Sequence, residues 1–101
     1  MIVYNISNKV ELAIEADWVQ WQQQEHIPAI MASGQFTDYK FYKLFKNEDD
    51  ESATYIVQCF APTIENYHHY IRNFAPQRRQ EAFDKWGNRF IAFHSIMQVV
   101  K

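Results

Sequence analysis

The sequence contains few of the residues that interrupt or cross-link a chain: two glycines, three prolines and one cysteine among 101 residues. A lone cysteine cannot form an intrachain disulfide, so we interpret Cys59, inside an apolar run, as a small buried hydrophobe in a reducing compartment. No run approaches the roughly 20 apolar residues that span a bilayer, and MIVYNISNK does not resemble a secretory leader. We therefore expect a cytoplasmic protein with no membrane partner.

An excess of positive charge is also lacking, because 10 Lys and Arg stand against 12 Asp and Glu. The chain therefore has no strong positive field for a phosphate backbone, and nucleic acid is disfavoured as a partner. What the chain does contain is 48% hydrophobic and 17% aromatic residues, too many for a disordered protein. This composition and length predict one globular domain over residues 1–101.

Four segments have the apolar and β-branched pattern of strands. They are IVYNISN (2–8, with a possible extension through Val10 and Leu12), FTDYKFYKLFK (36–46), ATYIVQCFA (53–61) and RFIAFHSIMQVV (89–100). The acidic run from Glu48 to Glu51 predicts a solvated loop between the second and third of them.

Helical spacing of apolar residues begins at about Ile14 and again after Thr63, a plausible N-cap. Proline interrupts both helices. Pro28 has no N–H to donate, so the first helix should end or kink near 25–27, and a short helix should follow as far as Gly34. The second helix should be interrupted at Ala75-Pro76, resume, and end at Gly87. Whether each proline breaks or only kinks its helix stays open.

The order strand, helix, strand, strand, helix, strand predicts an α+β, ferredoxin-like βαββαβ fold. Its four-stranded antiparallel sheet should carry both helices on one face. The strands are nevertheless apolar on both faces: Ile91 and Phe93 alternate with Phe90 and Ala92 in the last one. A sheet of this kind needs a second cover, and a second copy is the economical one. We therefore expect a homodimer formed through the sheet faces.

The segment W-x-x-W-x-x-x-E-H-I-P-x-x-x-x-x-G-x-F-x-x-Y, from Trp18 to Tyr39, resembles the dimeric α+β barrel superfamily. That superfamily includes antibiotic-biosynthesis monooxygenase-like, stress-responsive barrel and ethyl-tert-butyl-ether-degradation-like families. Over its whole length, the chain looks most like an uncharacterised bacterial domain family of unknown function with this fold. The resemblance implies a pocket between helices and sheet for small, often aromatic molecules, but it carries over no catalytic residue.

His26 is the candidate catalytic residue, because an imidazole at a helix interruption can act as a general acid or base. The competing interpretation is that it caps free backbone groups of the interrupted helix. Candidate ligand-binding residues are Trp18, Trp21, Gln22, Tyr4 and Tyr39. Trp86 extends the possible aromatic wall, although aromatic residues at helical spacing are more often core.

Three hypotheses follow for function. The first is binding of a small apolar or aromatic molecule in the helix–sheet pocket. The second is a structural or regulatory interaction module with a closed core. The third is heme binding, with His68 or His69 as the ligand, or cofactor-independent monooxygenase-like chemistry. No cofactor and no metal site is predicted, since the histidines lack paired ligand spacing, and Arg72, Arg78 and Arg79 are interpreted as solvated.

Overall fold

The computed structural model describes residues 1–45 and 51–101. Residues 48–50 of the predicted acidic loop lie outside the described residues. The strands are β1 (Ile2–Glu11), β2 (Asp38–Lys43), β3 (Ser52–Ala61) and β4 (Phe90–Gln98). The helices are α1 (Glu15–Trp21), α2 (Ile27–Met31), α3 (Ile64–Asn73) and α4 (Ala75–Trp86), with a 3-10 turn at Leu12–Ile14 and a π turn at Gln22–His26.

The four strands form one antiparallel sheet in the order β2-β3-β1-β4. This arrangement confirms the predicted α+β, ferredoxin-like fold. In the middle of the sheet, Tyr4 of β1 lies opposite Cys59 of β3 and Ile96 of β4. Among residues 1–45 and 51–101, no helix is both long and apolar enough to cross a membrane.

The two faces of the sheet have different surroundings. On the helix side, alternate residues of β1 and β3 are buried, among them Tyr4, Ile6 and Val57. On the outer side, the registers place Asn5, Ser7 and Gln58 at the centre, between apolar residues of the flanking strands. Those flanking residues are well exposed: Tyr42 by 44%, Ile91 by 54%, Phe93 by 62% and Met97 by 41%.

The core under the helices consists of two clusters. One contains Trp18, which has no exposed surface and packs against the rings of Tyr55, Phe41 and Phe90. The other surrounds Tyr4, whose ring contacts Phe36, Tyr67 and Tyr70. The clusters lie at opposite ends of β1, and they are separated by unfilled space.

The Pro28 interruption does not end the first helix. Five residues, Gln22–His26, form a π turn, in which the N–H of Ile27 donates to the carbonyl of Gln22. Pro28 then occupies the first turn of α2, where its missing N–H costs little. The π turn changes the hydrogen-bond register in the residues that precede Pro28. The chain therefore stays helical from Glu15 to Met31.

The second interruption is a true break of one residue. Thr63 caps α3 as predicted, its hydroxyl accepting the N–H of Asn66, and Phe74 (φ −123°) separates α3 from α4. Gly87 ends α4 with φ +60°, a conformation that side chains rarely adopt. The direction of α4 across the sheet therefore depends on a short backbone turn, not on a loop.

Trp18→Ala should lower the free energy of unfolding by about 3–5 kcal/mol, since it removes a fully buried ring from a closely packed cluster. Urea denaturation followed by circular dichroism measures this change. Val100→Ala, at a side chain 95% exposed, is the control and should change stability by less than about 0.5 kcal/mol. Equal effects of the two substitutions would contradict this account of the core.

Candidate functional site

A cavity of about 200 Å³ lies between the helices and the sheet. Its lining comes from β1, the π turn and α2, α3, α4 and β4. The lining residues are Tyr4, Ile6, Asn8, His26, Ile30, Tyr70, Ala75, Arg78, Arg79, Ala82, Phe83, Gly87, Phe90, Ala92 and His94. The most exposed of these on facing elements are Arg79 and Phe83 of α4 and His94 of the edge strand β4. The cavity therefore opens to solvent between α4 and β4.

Small side chains explain why this space is empty. Ala75 and Ala82 lie on the buried side of α4, and Ala92 faces them from β4. A helix packed on a sheet usually fills the interface with branched or aromatic side chains. Here three alanines stand where such side chains would meet, and the volume between the two core clusters remains unfilled.

His26 is held by two contacts at the helical side of the cavity. Its Nδ1 lies 3.0 Å from Oε1 of the buried Gln22, one turn earlier. Its ring stacks on Trp21 with 4.5 Å between centroids and 15° between planes. The π turn sets the spacing of these residues. The imidazole is thereby fixed in orientation by a side chain of its own helix.

The charge state of His26 follows from its surroundings. Burial, and then the positive charge of Arg78, lower the pKa of His26 to about 4, while Glu81 and the backbone of Arg78 act in the opposite direction. The ring is therefore neutral at pH 7. It can donate or accept a hydrogen bond within the cavity, but it does not carry a positive charge there.

A second polar group surrounds Tyr4 at the other end of the cavity. Burial raises the pKa of the Tyr4 hydroxyl, although the nearby Arg79 acts in the opposite direction. Burial also raises the pKa of Tyr70, and burial together with Arg79 lowers the pKa of His94. Both phenols and this imidazole are thus neutral at pH 7, and the charge at this end belongs to Arg79.

Asn8 adds a buried polar group to the floor of the cavity. Its Nδ2 donates to the carbonyls of Ile6 at 3.3 Å and Tyr55 at 3.2 Å. These two bonds set the orientation of the amide. Asn8 is only 2% exposed, so this amide is a buried polar group at the cavity wall.

The six residues predicted from the sequence do not form a single site. His26 and Tyr4 line the cavity. Gln22 lies behind His26, Trp21 stacks on it from outside the lining, and Trp18 is closed within the core. Tyr39 lies on the edge strand β2, two strands away from β1, and is 43% exposed.

The two histidines suggested as heme ligands lie outside the cavity. His68 and His69 are both exposed on α3 and do not line the cavity. In the described ranges, no group of three or more His, Cys, Asp or Glu side chains is arranged to hold a metal ion.

Arg78 and Arg79, which their positions on a helix predict to be solvated, line the cavity. A helical stripe contains them: residues 75, 78, 79, 82 and 83 recur at three- and four-residue spacing, and they share one side of α4. Two alanines within such a stripe leave a gap that neighbouring long side chains border. Alanines and arginines on one face of a helix therefore indicate a possible cavity in the sequence. This indication is weak because exposed arginines are common on helices.

Lowering the pH from 7.5 to 4.5 should destabilise the protein partly through His26. In the unfolded chain this histidine gains its proton near pH 6.5, but in the fold only near pH 4, so unfolding binds a proton between these values and is favoured as the pH falls. The loss is at most about 3 kcal/mol, complete below pH 4. Urea denaturation across this range should show that the free energy of unfolding depends less on pH in His26→Gln than in the wild type. His68→Gln, at an exposed site, should follow the wild type, and parallel profiles of wild type and His26→Gln would contradict the assignment.

Solved structures share this fold over nearly the whole chain at low sequence identity. An ethyl tert-butyl ether d (EthD) family protein from Bacillus halodurans has a TM-score of 0.75 at 12% identity, covering 99% of this chain and 100% of its own. SnoaB, a cofactor-independent oxygenase from Streptomyces nogalater, has a TM-score of 0.68 at 7% identity, covering 99% and 94%. A dimeric ferredoxin-like protein from an uncultured marine organism has a TM-score of 0.68 at 8% identity, covering 99% and 96%. These similarities show the fold alone.

Sequence comparison confirms the resemblance of the whole chain to a domain family of unknown function. No curated protein matches the chain. The sequence profile of a domain of unknown function, DUF4286, matches residues 1–100. The chain therefore belongs to the DUF4286 family, and its fold is that of the dimeric α+β barrels.

Proposed function

We propose that this protein binds a small aromatic molecule in the cavity between α4 and the sheet. The observation that carries the proposal is the cavity itself, about 200 Å³ in volume and open at one edge. An apolar cavity of about 150 Å³ is large enough for benzene. The space here therefore suits one ring or two fused rings, at the small end of ligand pockets.

The lining supports a ligand of mixed character. Phe83, Phe90 and Tyr70 supply aromatic surface, while His26 and Asn8 supply hydrogen-bonding groups at fixed positions. Binding sites typically combine a mainly apolar wall with a few placed polar groups. Since Trp18 and its neighbours are packed as a separate core, the cavity is not needed to complete that core. This separation favours ligand binding over a closed interaction module.

Cofactor-independent oxygenase chemistry is a second candidate, supported by the shared fold with SnoaB and by His26 in the cavity. A general base works best with a pKa near the working pH, whereas the pKa of His26 is about 4. The resting protein therefore presents His26 as a hydrogen-bonding group. A catalytic role requires a bound ligand that raises this pKa, and we propose binding as the primary function.

We further propose that two copies pair through their outer sheet faces. Exposed Tyr42, Phe93 and Met97 border a polar centre in which Gln58 donates to Asn5 at 3.3 Å. Such a patch is typical of a symmetric interface. One structural neighbour is described as a dimeric ferredoxin-like protein, which supports the same assembly.

The charges of this outer face argue against nucleic acid as its partner. Lys9 and Lys40 lie there together with Glu11 and Asp38, so no excess of positive charge results. A phosphate backbone requires such an excess. A cytoplasmic location remains our proposal, supported by Cys59, a free and buried thiol.

Naphthalene-sized compounds such as 2-naphthol should stabilise the protein in a thermal-shift assay. A ligand at ten times its Kd adds about 1.4 kcal/mol, which raises Tm by several degrees in a domain of this size. Ala92→Phe should remove the shift, because the added ring occupies the cavity. Ala16→Phe, on an exposed position of α1, should retain it. An equal shift in wild type and Ala92→Phe would place the ligand elsewhere.

Phe93→Lys should convert the dimer into a monomer, since it places a charge in the middle of the apolar part of the outer face. Light scattering after size-exclusion chromatography should give twice the chain mass for the wild type and the single-chain mass for the variant. Ile64→Lys introduces the same charge on α3, in the helical layer, and should remain dimeric. A wild-type protein that is monomeric at all concentrations would refute the assembly.

A further inference from the structure

We propose that the ligand of this cavity is an aromatic carboxylate, with its carboxylate bound by Arg79 at the mouth and its ring system directed inward. This inference rests on the proposed binding function and specifies the class of ligand. It is carried by the juxtaposition of an arginine without a carboxylate partner, a tyrosine hydroxyl and an aromatic interior in one cavity.

The first argument is the charge of the lining. Arg78 and Arg79 are both among the lining residues, and no Asp or Glu is. Arg78 is paired with Glu81, its Nη2 lying 2.8 Å from Oε1. Arg79 has no salt bridge to any residue within 1–45 and 51–101. One positive charge of the cavity is therefore uncompensated.

The second argument is the position of Arg79. Arg79, Tyr4 and His94 all line the cavity, and Arg79 lies close enough to the Tyr4 hydroxyl and to the His94 ring to act on both electrostatically. Because Arg79 is exposed while Tyr4 is 2% exposed, this pair lies where the buried wall meets solvent. A guanidinium binds the two oxygens of a carboxylate through parallel N–H groups, and a hydroxyl can donate to one of them.

The third argument is the length and character of the remaining space. Along β1, Asn8 lies four residues from Tyr4, which corresponds to about 13 Å. The far part of the cavity is bordered by Phe90, which pairs with Val10 beyond Asn8. A flat ring system attached to a carboxylate at the mouth would extend toward this phenyl group.

The test compares 2-naphthoate with its neutral counterpart, 2-naphthamide, by isothermal titration calorimetry at pH 7.5. The wild type should bind the naphthoate about ten-fold or more tightly than the amide, the usual worth of a charge-assisted hydrogen-bond pair. In Arg79→Gln the preference should disappear while the amide still binds. Arg79→Lys should retain part of the preference, because it keeps the charge and loses the planar fork.

Arg72→Gln is the matched control, since it removes the same charge from an exposed position on α3 outside the cavity. It should leave the ten-fold preference intact. Equal binding of naphthoate and amide by the wild type would overturn the carboxylate inference while leaving the proposed binding function in place. A preference that survives in Arg79→Gln would also overturn it. Binding of neither compound would count against both proposals.

Discussion

Side-chain volume at the interface between α4 and β4 is the constraint from which the site arises. Alanines at 75, 82 and 92 cannot fill the space between a helix and a sheet, and the two core clusters close on either side of it. The clusters stabilise the fold without the cavity, since Trp18 and Tyr4 each make their own ring contacts. An unfilled volume costs stability, because its lining forgoes van der Waals contacts. The cavity lies beside neutral imidazoles and arginines, and ligand binding by these groups would explain why the protein retains a destabilising cavity.

The π turn has a comparable role for orientation. In a regular α-helix, Gln22 and His26 would still be neighbours, one turn apart. The extra residue per turn changes how the following segment faces the sheet, so that Ile27 and Ile30 are buried while His26 lines the cavity. Turns of this kind are frequent at functional sites. The same turn allows Pro28 to enter α2 at a position where its missing N–H is harmless.

The fold was predictable from residue patterns because alternation and helical spacing are strong over most elements. Residues near the ends of elements were harder to assign: β2 is shorter than its aromatic run, and Leu12–Ile14 form a 3-10 turn. His26 is predictable because it lies at the helix interruption, and Tyr4 because it is a phenol on a strand, whereas the sheet register and its burial place Tyr4 on the helix side. Tyr39 shares that inward parity with Cys59, but its edge strand lies beyond the cover of the helices.

Sequence spacing gives the face of a helix on which a side chain lies, but it does not give the volume available there. For this reason, Trp18 could not be distinguished as core from a cavity wall, and Arg78 and Arg79 could not be distinguished from solvated arginines. Both distinctions depend on which opposing residues are small, and sequence spacing does not show that Ala92 of β4 lies across the cavity from Ala75 and Ala82 of α4.

The pKa values of the titratable groups in the cavity are shifted in directions that together determine the charge of the cavity near neutral pH. Burial and arginine lower the pKa of His26 and His94, and burial raises the pKa of Tyr4 and Tyr70. All four are therefore neutral at pH 7, and the positive charge of the lining comes from its arginines. Because neither arginine nor an aromatic carboxylate titrates in this range, a change of pH between about 7 and 8 leaves the charges of the site and of the proposed ligand unaltered. Selection among ligands at neutral pH then depends on whether the ligand carries a carboxylate.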